Sequence, residues 1–217
     1  MTQAAPSIPN VAVFDAELAA LVRLAAAISG ADEPAVRSCV AAATIAVRAE
    51  WVEEVILQSY LFAGFPRTLN AAREWRKASG RAAPANDPGE DLADVGVWAA
   101  RGEHTCEVVY GAFYSRLRHN IRALHPALDA WMIVDGYGKV LSRPQLDLRR
   151  RELCVVAACA AAGQARQLHS HLHGALHAGS NEAELRHTLD ALIGLVPTSD
   201  LQRFHLLLTR VLGHDIH

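Results

Sequence analysis

Four histidines crowd one short stretch, "QLHSHLHGALHAG" (residues 167–179): His169, His171, His173 and His177. Imidazoles at this density can hold a metal ion or move protons, and the choice depends on which of them share a face. At about 100° per residue on a helix, His169, His173 and His177 form one stripe, whereas His171 points the other way. His171 then lies at the margin of an apolar face made of Leu168, Leu172, Ala175 and Leu176. Two histidines one turn apart can share an ion, but the stripe contains no carboxylate or thiolate to complete a ligand set. It reads as a solvated polar face, and no metal or other cofactor is expected.

His171, expected to be half-buried, has a candidate partner in the segment before it. Leu148, Glu152, Val155, Cys159 and Ala162 recur at helical spacing, so Glu152 interrupts an apolar stripe, a costly place for a carboxylate. If residues 163–165 turn a helical hairpin, Glu152 stands about 16 Å and His171 about 12 Å from the turn along antiparallel axes, and the two can face each other. An imidazole titrates around neutrality, so an acid beside it makes a pair able to give and take protons at physiological pH. The structural alternatives are an ion pair of Glu152 with Arg149 or another arginine of "RRR" (149–151), and a His171 bonded to a backbone carbonyl.

The elements that must position this pair are helical. Apolar residues recur at helical spacing almost throughout, and alternating β-branched runs are missing, so the fold class is all-α with six to nine helices. One helix begins near Phe14; a second follows Asp32, with Pro34 in its first turn. "EWVEEVILQSYLFAG" ends at Gly64 and Pro66, and a further helix runs to about Ser79. "SGRAAPANDPGED" (79–91) is a surface linker by composition. A helix around 104–124 follows, and "ALDAWMIVDGYGKVLSRPQLDL", with Gly136, Gly138 and Pro144, suggests a packed irregular connection. Asp147 is a good N-cap for a helix running to about Gly163; another spans about 165–179, and Asn181 with Glu184 forms a capping-box pattern. Laying Cys39 on His171 exposes a weak internal repeat. The expectation is one all-helical domain over residues 1–217: a first unit at about 14–79, a linker at about 80–97, and a second unit at about 98–217 that carries the site.

Composition narrows the function classes. The chain is 51 % hydrophobic and 20 % charged with a net charge of −2, enough apolar content for a core and no basic field to attract nucleic acid or anionic lipid. The N-terminal "MTQAAPSIPN" lacks a basic and an apolar signal region, and the longest apolar run, 153–162, is half a membrane span. A cytoplasmic location and no membrane partner are therefore expected. Cys39, Cys106, Cys154 and Cys159 show no CxxC spacing and read as free, buried thiols.

Two stretches carry a resemblance. "GYGKVLSRPQLDLRRRELCVVAACAAAGQARQLHSHLHGALHAGSNEAEL" (136–185) and "EEVILQSYLFAGFPRTLNA" (53–71) resemble the carboxymuconolactone decarboxylase and alkylhydroperoxidase D superfamily. The resemblance implies an all-helical, oligomeric protein of two similar helical units with the active residues on a helical hairpin. In that family's peroxidase branch the hairpin has a glutamate, a CxxC and a histidine four residues later. Glu152 and His171 match the first and last; Gln164 and Gln167 stand at the cysteine positions. Without thiolates there is no disulfide cycle, so the chain looks closer to the decarboxylase branch, though His173 and His177 depart from that branch too. Shifting by 132 residues puts Ala20 at the glutamate and Cys39 at the histidine of the first unit, leaving at most one site per chain.

The resemblance implies a decarboxylase-like lyase acting on a small organic acid or lactone. Its site would use His171 as proton donor, Glu152 as tuning partner or second acid/base, Gln164 and Gln167 as amide contacts, and Tyr137 and Arg143 as carboxylate-binding candidates. The alternatives are a peroxidase-like redox protein using Cys154 or Cys159, and a non-catalytic helical oligomer or small-ligand binder. The expected partners are a small-molecule substrate and further copies of the chain.

Overall fold

The computed structural model describes residues 14–87 and 94–214. The N-terminal stretch "MTQAAPSIPN" and part of the linker lie outside these. The described residues are helical, and no extended strand occurs among them. The chain runs through α1 (Ala16–Gly30), α2 (Glu33–Ala46), α3 (Ala49–Ser79), α4 (Val95–Tyr110), α5 (Tyr114–Leu124), α6 (Pro126–Trp131), α7 (Leu148–Ala161), α8 (Ala165–His177), α9 (Glu182–Asp190) and α10 (Thr198–His214).

Caps set the register of the site-bearing elements. Asp15 accepts from the Leu18 N–H at 2.8 Å and Asp147 from the Arg150 N–H at 3.0 Å, each satisfying a donor of a helix's first turn. Asn181 and Glu184 form the reciprocal capping box of α9 at 3.0 and 3.1 Å. The two hairpins α1–α2 and α7–α8 begin each helix 132 residues apart, and Asp15 and Asp147 keep the same interval. α1 packs along α7 in the centre of the molecule. Gly30 permits this closeness, because a Cβ there would stand 2.2 Å from the Ala161 carbonyl oxygen. Leu21, Leu24, Ile28, Leu153, Val155 and Val156 are fully buried along these two helices.

The expected break at Gly64 is present: it adopts φ 76° and ψ 164°, so α3 is two helical pieces joined at a bend, the second running through Pro66 to Ser79. Other expectations change. The helix expected at 104–124 begins at Val95, with Asp94 accepting from the Gly96 N–H at 2.8 Å, and breaks at Gly111. The stretch expected to be irregular is helical as far as Leu141, where α6 continues as a wide π-helical segment, Met132–Leu141, and only residues 142–147 form the irregular connection. Neither glycine of the π segment breaks it, and Gly138 is a contact point. A Cβ on Gly138 would meet the Trp98 carbonyl oxygen at 1.9 Å, and one on Gly102 the Ile133 carbonyl oxygen at 2.0 Å, so α4 and the π segment cross backbone to backbone.

Candidate active site

Glu152 sits in the second turn of α7, and His171 midway along α8. Antiparallel packing of the two helices brings His171 Nδ1 to 2.8 Å from Glu152 Oε2. Glu152 is 0 % exposed and His171 6 %, so the imidazole is buried rather than half-buried. Neither structural alternative holds: Arg149 pairs with Glu184, Arg150 with Asp147 and Arg151 with Glu54. The second carboxylate oxygen, Glu152 Oε1, is buried and lacks a hydrogen-bond partner among the described residues.

Gly174, three residues after His171, escapes notice in the sequence. A Cβ there would stand 2.7 Å from Glu152 Oε2 and 2.7 Å from a Val109 methyl. Only a bare backbone lets the carboxylate lie against α8 and reach the imidazole. A glycine inside a helix costs about 1 kcal/mol relative to alanine, and that mismatch was the available signal. Phe62 was also missed; from α3, just before the Gly64 bend, it meets the His171 ring edge to face at 6.1 Å between centroids. It belongs to the 53–71 stretch that carried the resemblance.

Tyr137 lies in the same buried cluster, its ring 6.3 Å from that of Tyr110. Burial, then the nearby Tyr110 and Glu152, push the Tyr137 phenol well above its usual value. Tyr110 is pushed up to about 12, chiefly by burial. Both phenols therefore keep their protons at neutral pH. The thiols behave alike: burial, then Glu152, raises Cys159 to about 12, and burial raises Cys106 to about 12 and Cys154 still further. All four cysteines are buried and free, with essentially no thiolate for redox chemistry.

The other expected site residues separate. Gln164 and Gln167 are exposed at the start of α8, seven and four residues before His171 and on its side of the helix. Arg143 stands apart from the pair: its guanidinium donates to Glu54 at 2.8 and 2.9 Å and to Asp87 at 2.8 and 2.6 Å. Glu54 also accepts from the fully buried Arg151 at 2.7 Å, and Arg151 bonds Gln58 at 3.2 Å. This network ties α3, the linker and the start of α7 together, so Arg143 is already engaged by carboxylates of the chain itself. The histidine stripe faces outward, with His169 and His177 exposed and His173 half-buried. His169 and His173 meet edge to face at 5.0 Å, while His177 places Nδ1 2.8 Å from the Val109 carbonyl oxygen. Among the described residues no group of three or more His, Cys, Asp and Glu side chains is arranged to hold a metal ion, and no helix is long and apolar enough to cross a membrane.

Set beside known proteins, residues 126–194 match the family model described as the carboxymuconolactone decarboxylase family. No curated protein matches the chain. The matched span runs from α6 through the π segment, α7 and α8 to just beyond α9. It therefore contains Tyr137, Glu152, His171 and Gly174, and leaves out the first hairpin. Over residues 126–194, on an all-α fold, the chain is similar to the carboxymuconolactone decarboxylase family.

Proposed function

We propose that the protein is a decarboxylase-like enzyme that transfers a proton to a small organic acid or lactone through the Glu152–His171 pair. The observation that carries this reading is the 2.8 Å contact between a fully buried carboxylate and a buried imidazole, next to an orphaned carboxylate oxygen. Such a group is expensive to bury for structure alone. In its ionised form Glu152 accepts a hydrogen bond from Nδ1–H, which leaves Nε2 as the working nitrogen. When the bond to a substrate carboxylate breaks, its electron pair moves into an adjacent carbonyl, CO2 leaves, and the enolate carbon takes the proton from Nε2–H; water then restores that proton. Glu152 stabilises the imidazolium before transfer, and Tyr137, a protonated donor in the same cluster, suits the developing enolate oxygen. Gln164 and Gln167 are the amides nearest the outer end of this face of α8.

A thiol-based peroxidase reading is disfavoured by the raised thiols of Cys106, Cys154 and Cys159. The decarboxylase-like reading includes a homo-oligomer in the cytoplasm, and the exposed Phe113, Leu124 and Trp131 supply apolar surface for the oligomer. The test is turnover of a panel of β-keto acids, unsaturated lactones and hydroperoxides by wild type, Glu152→Gln and His171→Asn. Loss of CO2 or lactone that falls about 10²–10⁴-fold in each variant, and that survives thiol alkylation, is expected. Variants as active as wild type would remove the mechanism.

A further inference from the structure

A recess lies in the first half of the molecule, with neither member of the Glu152–His171 pair in its lining. It is a cavity of about 220 Å³ between the end of α1, the start of α2 and the part of α3 beyond the Gly64 bend. Its floor is apolar, formed by the fully buried Ile28 with Ala31 and the half-buried Val36. Its walls carry guanidinium groups from two different helices.

The three arginines have different tasks. Arg67 is committed to structure: it donates to the backbone carbonyls of Ala27, Ile28 and Ala31 and so closes the end of α1. Arg37, on α2, approaches Glu33 only to 3.7 Å, with both side chains largely in solvent, a loose pair that an incoming anion can replace. Arg73, on α3, donates to Asn70 Oδ1 at 3.0 Å; this holds the guanidinium in place and leaves the Asn70 amide N–H groups as donors. Against Arg37, Arg67 and Arg73 stand the carboxylates of Glu33 and Glu74 in the lining, which leaves one net positive charge.

We propose that this recess binds a small organic monocarboxylate, its carboxylate forked between Arg37 and Arg73 and its hydrocarbon part on Ala31 and Val36. Guanidinium forks match carboxylate geometry. The single excess charge suits a monoanion and opposes a phosphate dianion. The volume is below the roughly 300–1,000 Å³ of pockets for drug-sized ligands, so the ligand is small. The proposal is independent of the chemistry assigned to Glu152 and His171.

The test is calorimetric titration of the full chain with hexanoate, with hexan-1-ol and inorganic phosphate as comparators. Saturable one-site binding of hexanoate is expected, at least tenfold tighter than either comparator. It should weaken tenfold or more in Arg37→Gln/Arg73→Gln and stay unchanged in His171→Asn. Both substituted arginines are exposed, and an unchanged thermal midpoint identifies the double variant as folded. No saturable binding, phosphate bound as tightly as hexanoate, binding that survives the double variant, or binding lost in His171→Asn would each overturn the proposal.

Discussion

The hairpins α1–α2 and α7–α8 begin their helices at the same 132-residue interval, yet only one carries polar chemistry at its seam. Where α7–α8 has Glu152, His171 and Gly174, α1–α2 has Ala20, Cys39 and Ala42. The third exchange explains itself through the first. With a glutamate to accommodate, a Cβ on α8 would collide with the carboxylate; Ala20 presents no carboxylate, and Ala42 is exposed where Gly174 is buried. One backbone plan thus tolerates either a small apolar seam or a buried acid–imidazole pair. The pair requires a glycine and leaves a carboxylate oxygen unbonded, so stability alone does not account for it.

That contrast can be broken or sharpened by substitution. The largest stability effect is expected from breaking the pair on one side: His171→Leu leaves a buried carboxylate without its partner, a loss of about 3–5 kcal/mol in denaturant unfolding. Making both positions apolar, as in the first hairpin, should reverse this. Glu152→Leu with His171→Leu is expected to be neutral or up to about 1–4 kcal/mol more stable than wild type, with turnover abolished. A double variant as unstable as the single one would mean that the seam needs its polar groups for packing.

Gly174→Ala comes next. Crowding at Glu152 Oε2 and Val109 should cost about 1–3 kcal/mol and lower turnover, whereas an alanine tolerated without either effect would contradict the positioning role. Asp129 is the structural control for Glu152, being equally buried but with both oxygens bonded by Arg118 and Arg122. The two guanidiniums hold its carboxyl below the usual range. Its stabilisation is therefore complete above a pH of about 4, the value for a free aspartate, and is lost as the pH falls through the lower, folded-state value. The difference in thermal midpoint between wild type and Asp129→Asn should narrow over that acid range; a gap that widened there would reverse the assignment. The smallest effect belongs to Ala42→Gly, the mirror of Gly174. About 1 kcal/mol of lost helix propensity is expected, with no change in turnover.

Much of this was legible before any coordinates. Glu152 and His171 could be paired because a hairpin turn at 163–165 fixes their distances, and because a charged residue in an apolar stripe requires a partner. The caps at Asp32, Asp147 and Asn181 were readable from local chemistry alone. The π segment was not, since Gly136 and Gly138 are breakers by composition, and only the close approach of α4 makes a glycine there a packing residue. Arg143 was misplaced for a related reason. Glu54 and Asp87, which engage it, lie 89 and 56 residues earlier in the chain, and no local pattern reports a contact at that range. His177 is exposed as expected, but its contact with the Val109 carbonyl could not be foreseen, because that group belongs to a helix 68 residues away.

The central claim is that Glu152 and His171 act as one proton-transferring unit, and a double-mutant cycle on turnover tests it most directly. Groups that work as a unit lose their effect together. Glu152→Gln, His171→Asn and the combined variant should all fall to the same residual rate, within about threefold. Losses that multiply in the combined variant, or single variants that turn over like wild type, would contradict the account.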